Sequence, residues 1–242
     1  MKTIKHVDKK ILKPSDIIGV SPGSGLDKSV RGYVVIENEK GERRGENLVV
    51  LNGREFLAEK FADLDGPAPA TYANYKIRYF GIGSGGAEDD SNGDPVIKKG
   101  PYSNDADLYE PVHFQSGNSA DGTTHIDNGY LKEILSDSAE GAKIEILSDD
   151  HTIATESGEQ TVSAYTTIKF TMFINGDEPP SSERPFEFNE AGLWAVEYDE
   201  STGKPVNNAD GTTNKILIAH FTTTSKFIEG SESVKIEWYI LV

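Results

Sequence analysis

Apolar residues in this chain recur mostly at every second position, the period of a β-strand. The clearest case is segment 165–174, where one set of alternate positions is apolar: Ile168, Phe170, Met172 and Ile174. The positions between them are polar: Thr167, Lys169 and Thr171. This alternation predicts a strand with one face in the core.

The last third of the chain contains three further runs rich in β-branched and aromatic residues, at 186–194, 215–224 and 233–242. Turn-forming residues bound each run. We therefore predict three consecutive antiparallel core strands. Trp238 should be buried, because Ile236 and Ile240 flank it at period 2.

Short strands are predicted at 31–37, 46–51, 75–82 and 143–147, and strand character around segment 165–174 extends over 160–174. One helix is expected after Asn52, a good N-cap residue, with Glu55 placed to complete a capping box. Many strands joined by polar loops, with one helix, predict a mainly β protein: an antiparallel β-sandwich or flattened barrel with one short peripheral helix and an extended N-terminal arm.

Residues 1–30 form the predicted arm, because Pro and Gly interrupt a stretch that is too apolar for a solvated tail. Residues 31–242 are predicted to be a single β-sandwich domain with a long loop insertion at about 88–142. The stretch from Gly83 to Asn128 is rich in Gly, Asp, Asn and Ser, and we expect little regular structure there and a role in contacts between subunits.

The formal net charge of −16 disfavours binding to nucleic acid or to anionic membranes. There is no cysteine, so disulfides and thiolate zinc sites are excluded. The first ten residues lack the apolar core of a secretory signal, and no run reaches the ~18 apolar residues of a membrane span. Synthesis in a cytoplasm without export is expected.

The segment Gly81–Gly86 matches G-x-G-x-x-G and follows a predicted strand. Acidic and turn residues follow it instead of a helix, and carboxylates there would repel a pyrophosphate. We interpret the glycines as a strand exit where backbones pack closely.

Asp89, Asp90, Asn92 and Asp94 could bind calcium, but an EF-hand loop counted from Asp90 would place prolines at its sixth and twelfth positions. An irregular calcium site in loop 88–94 stays open. The five histidines lie far apart and show no metal-ligand spacing: His6, His113, His125, His151 and His220. His220 is interpreted as a packed or partly exposed strand histidine.

No catalytic, cofactor-binding or metal-binding residue is assigned, and the chain is expected not to be an enzyme. The aromatic residues allow sugar stacking as an alternative, although most fall in strand patterns that favour core packing. They are Tyr72, Tyr75, Tyr79, Tyr102, Tyr109, Trp194 and Trp238.

The order of an NEAGLW strand (189–194), an LIAHFTTTSKFI strand (217–228) and a closing VKIEWYILV strand (234–242) resembles a module of tailed-bacteriophage virion structural proteins. A second block, 47–57 followed by 79–87, looks like the front half of similar proteins. The resemblance implies a non-enzymatic structural subunit of a virion, present in multiple copies in the tail, baseplate or neck. A capsid decoration protein and a surface glycan-binding or adhesion module are the alternatives.

The partners that the resemblance implies are other virion proteins and further copies of the chain in a symmetric homo-oligomer. We expect the arm and the long loops to make these contacts. The expected location is the virion, after synthesis in the host cytoplasm.

Overall fold

The computed structural model describes residues 31–38, 41–62, 71–114, 124–134, 143–155, 158–175, 178, 186–228 and 233–241. These residues form a mainly β, sandwich-like fold with antiparallel sheets and one described α-helix, as the sequence predicts. The described strands do not close into a barrel, so the sandwich is the alternative that fits. The predicted arm, residues 1–30, lies outside the described residues.

The strands are, in chain order, β1 Arg31–Asn38, β2 Gly41–Val49, β3 Tyr75–Gly83, β4 Ala87–Asp89, β5 Pro95–Ile97, β6 His125–Ile126, β7 Leu131–Glu133, β8 Lys143–Thr155, β9 Gly158–Asn175, β10 Phe186–Glu197, β11 Lys215–Ile228 and β12 Ser233–Leu241. The helix α1 spans Leu51–Ala62. Ten strands form one sheet in the order β6-β7-β3-β10-β11-β2-β1-β12-β9-β8, and β4 pairs with β5 separately.

The two ends of the ten-stranded sheet come together on one side. Lys132, in β7, forms a buried ion pair with Glu178, which follows β9. The Lys132 ammonium also donates to the carbonyl of Phe173 in β9, at 2.9 Å. Strands near opposite ends of the sheet therefore contact each other, and one apolar cluster draws residues from both halves.

The main core follows the predicted alternation. In β12 the alternate residues Val234, Ile236, Trp238 and Ile240 have no exposed surface. In β9, Phe170, Met172 and Ile174 are buried, while Ile168 is only partly buried. The opposite face of β9 is not solvated as the alternation suggests, because Lys169 and Thr171 there are also buried.

The three C-terminal strands are present and Trp238 is buried as predicted, but their pairing differs from a simple sequential sheet. β10 pairs with β11, whereas β12 pairs with β1 and β9. Strands β2 and β1 lie between β11 and β12. Local periodicity predicts strands, but it carries no information about which distant strand inserts between two neighbours in sequence.

The helix is confirmed, but its predicted start is wrong. It begins at Leu51, so Asn52 lies inside it, and the first helical hydrogen bond runs from the Arg54 N–H to the Val50 carbonyl. The Leu51 N–H at the start of the helix donates to the Ser103 carbonyl at 2.7 Å. A loop carbonyl therefore takes the place of a capping side chain. Gly53 permits close packing on β11: a Cβ there would lie 2.1 Å from the Ile218 oxygen.

The stretch 83–128 holds more regular structure than the sequence predicts. It includes the β4–β5 hairpin and β6, and the adjoining β7 pairs with β3 and extends the main sheet. These strands are two or three residues long, too short for a periodic pattern to be recognised.

Candidate functional site

The glycine-rich segment after β3 is held by two side chains of β10. Asn189 accepts a hydrogen bond from the Gly86 N–H at 2.6 Å and donates to the Ser84 carbonyl at 2.8 Å. A Cβ on Gly83 would lie 2.4 Å from a Glu190 carboxylate oxygen. A Cβ on Gly83 would also lie 2.7 Å from the Glu110 carbonyl oxygen, and one on Gly86 would lie 2.9 Å from the Asn189 carbonyl oxygen, so the interpretation of close backbone packing is confirmed at these two glycines.

Glu190, also in β10, has no exposed surface and accepts hydrogen bonds from four donors. Its Oε1 accepts from the N–H groups of Gly85 at 3.1 Å and Glu110 at 2.9 Å. Its Oε2 accepts from the Tyr109 N–H and from His220 Nε2, both at 3.0 Å. One carboxylate thus fixes two separate loop segments to the sheet.

His220, in β11, lies between two carboxylates and is itself fully buried. Its Nδ1 is 2.7 Å from Asp105 Oδ2, and its Nε2 is bonded to Glu190. Each imidazole nitrogen thus has a carboxylate oxygen as its hydrogen-bond partner. Asp105 Oδ2 also accepts hydrogen bonds from the Tyr102 N–H at 2.8 Å and from the Tyr109 hydroxyl at 3.0 Å.

The network shifts the pKa values of its members. Burial alone would raise the pKa of Glu190, but hydrogen bonds from His220 and from the loop N–H groups outweigh it and lower that pKa. Burial and the neighbouring Asp105 raise the pKa of the Tyr109 hydroxyl. We call Asn189, Glu190, His220 and Asp105 the polar clamp, because their hydrogen-bonding groups are used to hold loops 84–86 and 102–110.

The polar clamp is not visible as a motif. The sequence prediction of His220 as a packed strand histidine is correct on burial, but it missed the two carboxylates. A signal was available: Asn189 and Glu190 interrupt an otherwise apolar run between Phe188 and Trp194. Polar residues at core positions of a strand indicate buried hydrogen-bond partners.

A cleft of about 520 Å³ opens beside the clamp, and this is the candidate site. Three segments and Trp194 of β10 line it: 107–111, 127–131 and 208–215. Its volume falls within the ~300–1,000 Å³ usual for small-molecule sites. Sequence analysis assigned no residue to it, since the three segments are far apart in the chain.

Lys215 is the cationic residue among those that line the cleft. Its ammonium is 2.5 Å from Asp127 and 3.5 Å from Asp107, and it lies 4.5 Å from the centre of the Trp194 ring. Asp127 is buried and also accepts a hydrogen bond from the Thr213 N–H at 3.1 Å. Lys215 and Asp127 are therefore fixed before any ligand binds.

The backbone of the cleft is strained at one turn. Asp127 and Asn128 have φ values of 54° and 57°, and Gly129 follows with 93°. Left-handed backbone in a non-glycine residue costs on the order of 1 kcal/mol or more. His113 supports the turn through a 2.7 Å hydrogen bond between its Nε2 and the Asn128 carbonyl.

The acidic loop 89–94 closes a turn between β4 and β5. Asp90 Oδ1 accepts hydrogen bonds from the N–H groups of Asn92 at 2.8 Å and Asp94 at 2.9 Å. No group of three or more His, Cys, Asp or Glu side chains within the described ranges could hold a metal ion.

The other histidines do not converge on the cleft as a set. His113 supports the strained turn, and His125 stacks on Phe114 with ring centres 5.3 Å apart. His6 lies outside the described residues, and the side chain of His151 is not described.

Aromatic side chains differ sharply in exposure. Trp194, Trp238 and Tyr79 are buried. Tyr102 and Tyr130 are 58% and 39% exposed, and Tyr130 lines the cleft. Of the seven aromatics considered for sugar stacking, these three are buried, Tyr72, Tyr75 and Tyr109 are partly buried, and Tyr102 is exposed. Tyr130, which was not among the seven, is accessible.

None of the helices in the described parts of the chain is long and apolar enough to cross a membrane. Comparisons with protein-family models, with curated proteins and with solved structures found no match to this chain.

Proposed function

We propose that this chain is a non-enzymatic structural subunit of a tailed-bacteriophage virion, assembling in multiple copies in the tail, baseplate or neck. The phage part of the proposal rests on the sequence resemblance in strands β10, β11 and β12. The assembly part rests on one structural observation: among the described strands, none pairs with the outer edge of β8.

Strand β8 is the last strand of the ten-stranded sheet and is 13 residues long. No described strand pairs with its outer edge. Ile146 is 76% exposed there and Leu147 is 40% exposed. Proteins usually protect such an edge with charge, proline or a short length, because exposed backbone groups accept a further strand. The described side chains of β8 include the charged Lys143 and Glu145, which protect an edge, and next to them Ile146 and Leu147, whose exposed apolar surface is suited to a neighbouring subunit.

The β8–β9 hairpin also extends beyond the sheet. β12 pairs with β9 only over Thr167–Asn175, so residues 148–155 and 158–166 pair only with each other among the described strands. An isolated two-stranded ribbon is marginally stable in water. Contact with another subunit would stabilise it.

The polar clamp supports a structural role over a catalytic one. Glu190 and His220 resemble an acid–base pair, but both are fully buried and are hydrogen-bonded to neighbouring groups. The hydrogen bonds of Glu190 and His220 are explained by their role in holding the two loops in place, and no catalytic role is needed to explain them.

The edge can be tested by charge substitution. Ile146→Lys together with Leu147→Lys should abolish self-association and incorporation into particles, measured by sedimentation velocity and by immunogold labelling of purified phage. The matched control is Val96→Lys with Ile97→Lys, on β5, where the exposed fractions are 40% and 46%. Normal assembly of the β8 variant, or equal loss in the control, would contradict the role of the edge.

The predicted arm gives a separate test. Deleting residues 2–20 should leave the melting temperature of the free subunit nearly unchanged and prevent incorporation into particles. Incorporation of the truncated chain at the normal level would show that the arm is not an assembly contact. Absence of the full-length chain from purified particles would refute the virion assignment itself.

A further inference from the structure

The electrostatics of the cleft disfavour anionic ligands, and its buried carboxylate is already paired with an ammonium. One ammonium, that of Lys215, stands against the two carboxylates of Asp107 and Asp127, so the cleft has an excess of one negative charge. An anion would have to displace a carboxylate from Lys215. A free cation would compete with an ammonium that Asp127 already binds at 2.5 Å. A neutral, polar ligand meets neither cost.

The remaining lining groups are suited to hydroxyls. Asp107 is 52% exposed, and the cleft also presents the side chain of Asn128. Asn208 and Thr212 line it too, but Asn208 Nδ2 donates to the Thr212 hydroxyl at 3.0 Å and that hydroxyl donates to Asp210 at 2.6 Å. Carboxylates accept hydrogen bonds, whereas amides and hydroxyls both donate and accept them. A sugar hydroxyl also donates and accepts, so this set of groups can satisfy it. The Tyr130 ring, 39% exposed, supplies an accessible apolar surface at the same site.

The strained turn adds an independent observation. Two consecutive non-glycine residues in left-handed backbone are held by contacts from other segments: Thr213 and Lys215 on Asp127, and His113 on Asn128. Backbone strain of this kind concentrates at binding sites, where it positions groups in advance. Here it sets Asn128 and Tyr130 on the cleft wall.

We propose that this cleft binds a pyranose unit of a neutral glycan. Asp107 and Asn128 hydrogen-bond the sugar hydroxyls, and the apolar face of the ring packs on Tyr130. Binding would be a property of the free subunit, so it stands independently of assembly through the β8 edge.

The test is saturation-transfer NMR on the full chain with four probes: the methyl glycosides of glucose, galactose, mannose and N-acetylglucosamine. At least one should show saturable binding. Tyr130→Ala and Asp107→Asn should each weaken it by about tenfold or more. Tyr102→Ala is the matched control, because Tyr102 is an exposed tyrosine outside the cleft lining, and this variant should bind normally.

Three results would overturn the proposal: no saturable binding of any probe, equal loss in the Tyr102 variant, or tighter binding of inorganic phosphate than of any sugar. Neither Tyr130 nor Asp107 is buried, so their variants are expected to fold. Circular dichroism melts of each variant identify any loss of binding that comes from unfolding.

Discussion

The two halves of the ten-stranded sheet hold their structure in different ways. In the half formed by β2, β1, β12, β9 and β8, the inner face is apolar and includes the fully buried Trp238. In the half formed by β6, β7, β3, β10 and β11, fully buried Glu190 and His220 lie beside the apolar residues. The difference follows from the loops. Strands satisfy their own N–H groups, whereas the irregular loops 84–86 and 102–110 need acceptors from the sheet.

The halves also differ in where their charged side chains lie. In the first half, Glu237 lies on the outer face with its side chain 15% exposed, paired with Lys169 at 2.8 Å and Lys235 at 3.0 Å. In the second half, the charges lie inside and orient the loops that line the cleft. Removing an apolar side chain should therefore damage the first half most, and removing a hydrogen-bond acceptor should damage the second.

The largest effect is expected for Trp238→Ala, which empties a fully buried aromatic site. It should lower the free energy of unfolding by about 3–5 kcal/mol, measured by urea denaturation. Trp194→Ala is the counterpart in the second half and should cost less, because Trp194 borders the cleft and water can enter the space left. An equal or larger loss at Trp194 would break the comparison.

Glu190→Gln should lower the free energy of unfolding by about 2–3 kcal/mol, because an amide NH₂ would face N–H donors that now meet a carboxylate. The substitution should also destabilise the two loops locally, beyond its effect on global unfolding. Hydrogen exchange at the Gly85, Tyr109 and Glu110 amides should accelerate more than exchange in β12. The outer-face variant Glu237→Gln serves as control and should leave those three amides protected.

Acid should weaken both halves. Burial alone would raise the pKa of Glu237, but hydrogen bonds from Lys169, Lys235 and Tyr239 lower it to about 2. The pKa of Glu190 is also lowered. A carboxyl group with a depressed folded-state pKa stabilises the protein above its unfolded value, here 4.5, and loses that contribution as the pH falls through the folded value.

The free energy of unfolding should therefore decrease below about pH 4.5. Denaturation at a series of pH values would measure it. The decrease should be shallower in Glu190→Gln and in Glu237→Gln than in the unaltered chain. A variant with an unchanged pH slope would show that its carboxylate does not contribute to the acid dependence.

Sequence periodicity predicts the strands well where they are long, because burial of one face imposes a period of 2 over many residues. Segment 165–174 and the run 233–242 are examples. It predicts neither the insertion of β1 and β2 between β11 and β12 nor the short strands β4 to β7, because pairing partners and two-residue strands leave no local pattern.

The candidate site was less predictable than the fold. Lys215, Asp127 and Asp107 meet through loops separated by many residues, and each residue alone is an ordinary charged side chain. The left-handed turn at Asp127 and Asn128 is favoured by their residue types, since Asp and Asn tolerate positive φ. Only the folded arrangement shows that this turn borders a cleft.

The smallest effect is expected at that turn, where all described non-glycine residues with positive φ are found. Asn128→Gly should relieve strain but add freedom to the unfolded chain, so its net effect should stay within about 1 kcal/mol of zero. Gly129→Ala should destabilise by about 1–2 kcal/mol or more, because φ is 93° there and a Cβ would lie 2.7 Å from His113 Nε2. Thermal melts compare the two. A decrease in the free energy of unfolding well above 1 kcal/mol for Asn128→Gly would show that the Asn128 side chain stabilises the turn. The turn would then store less strain than its φ angles indicate.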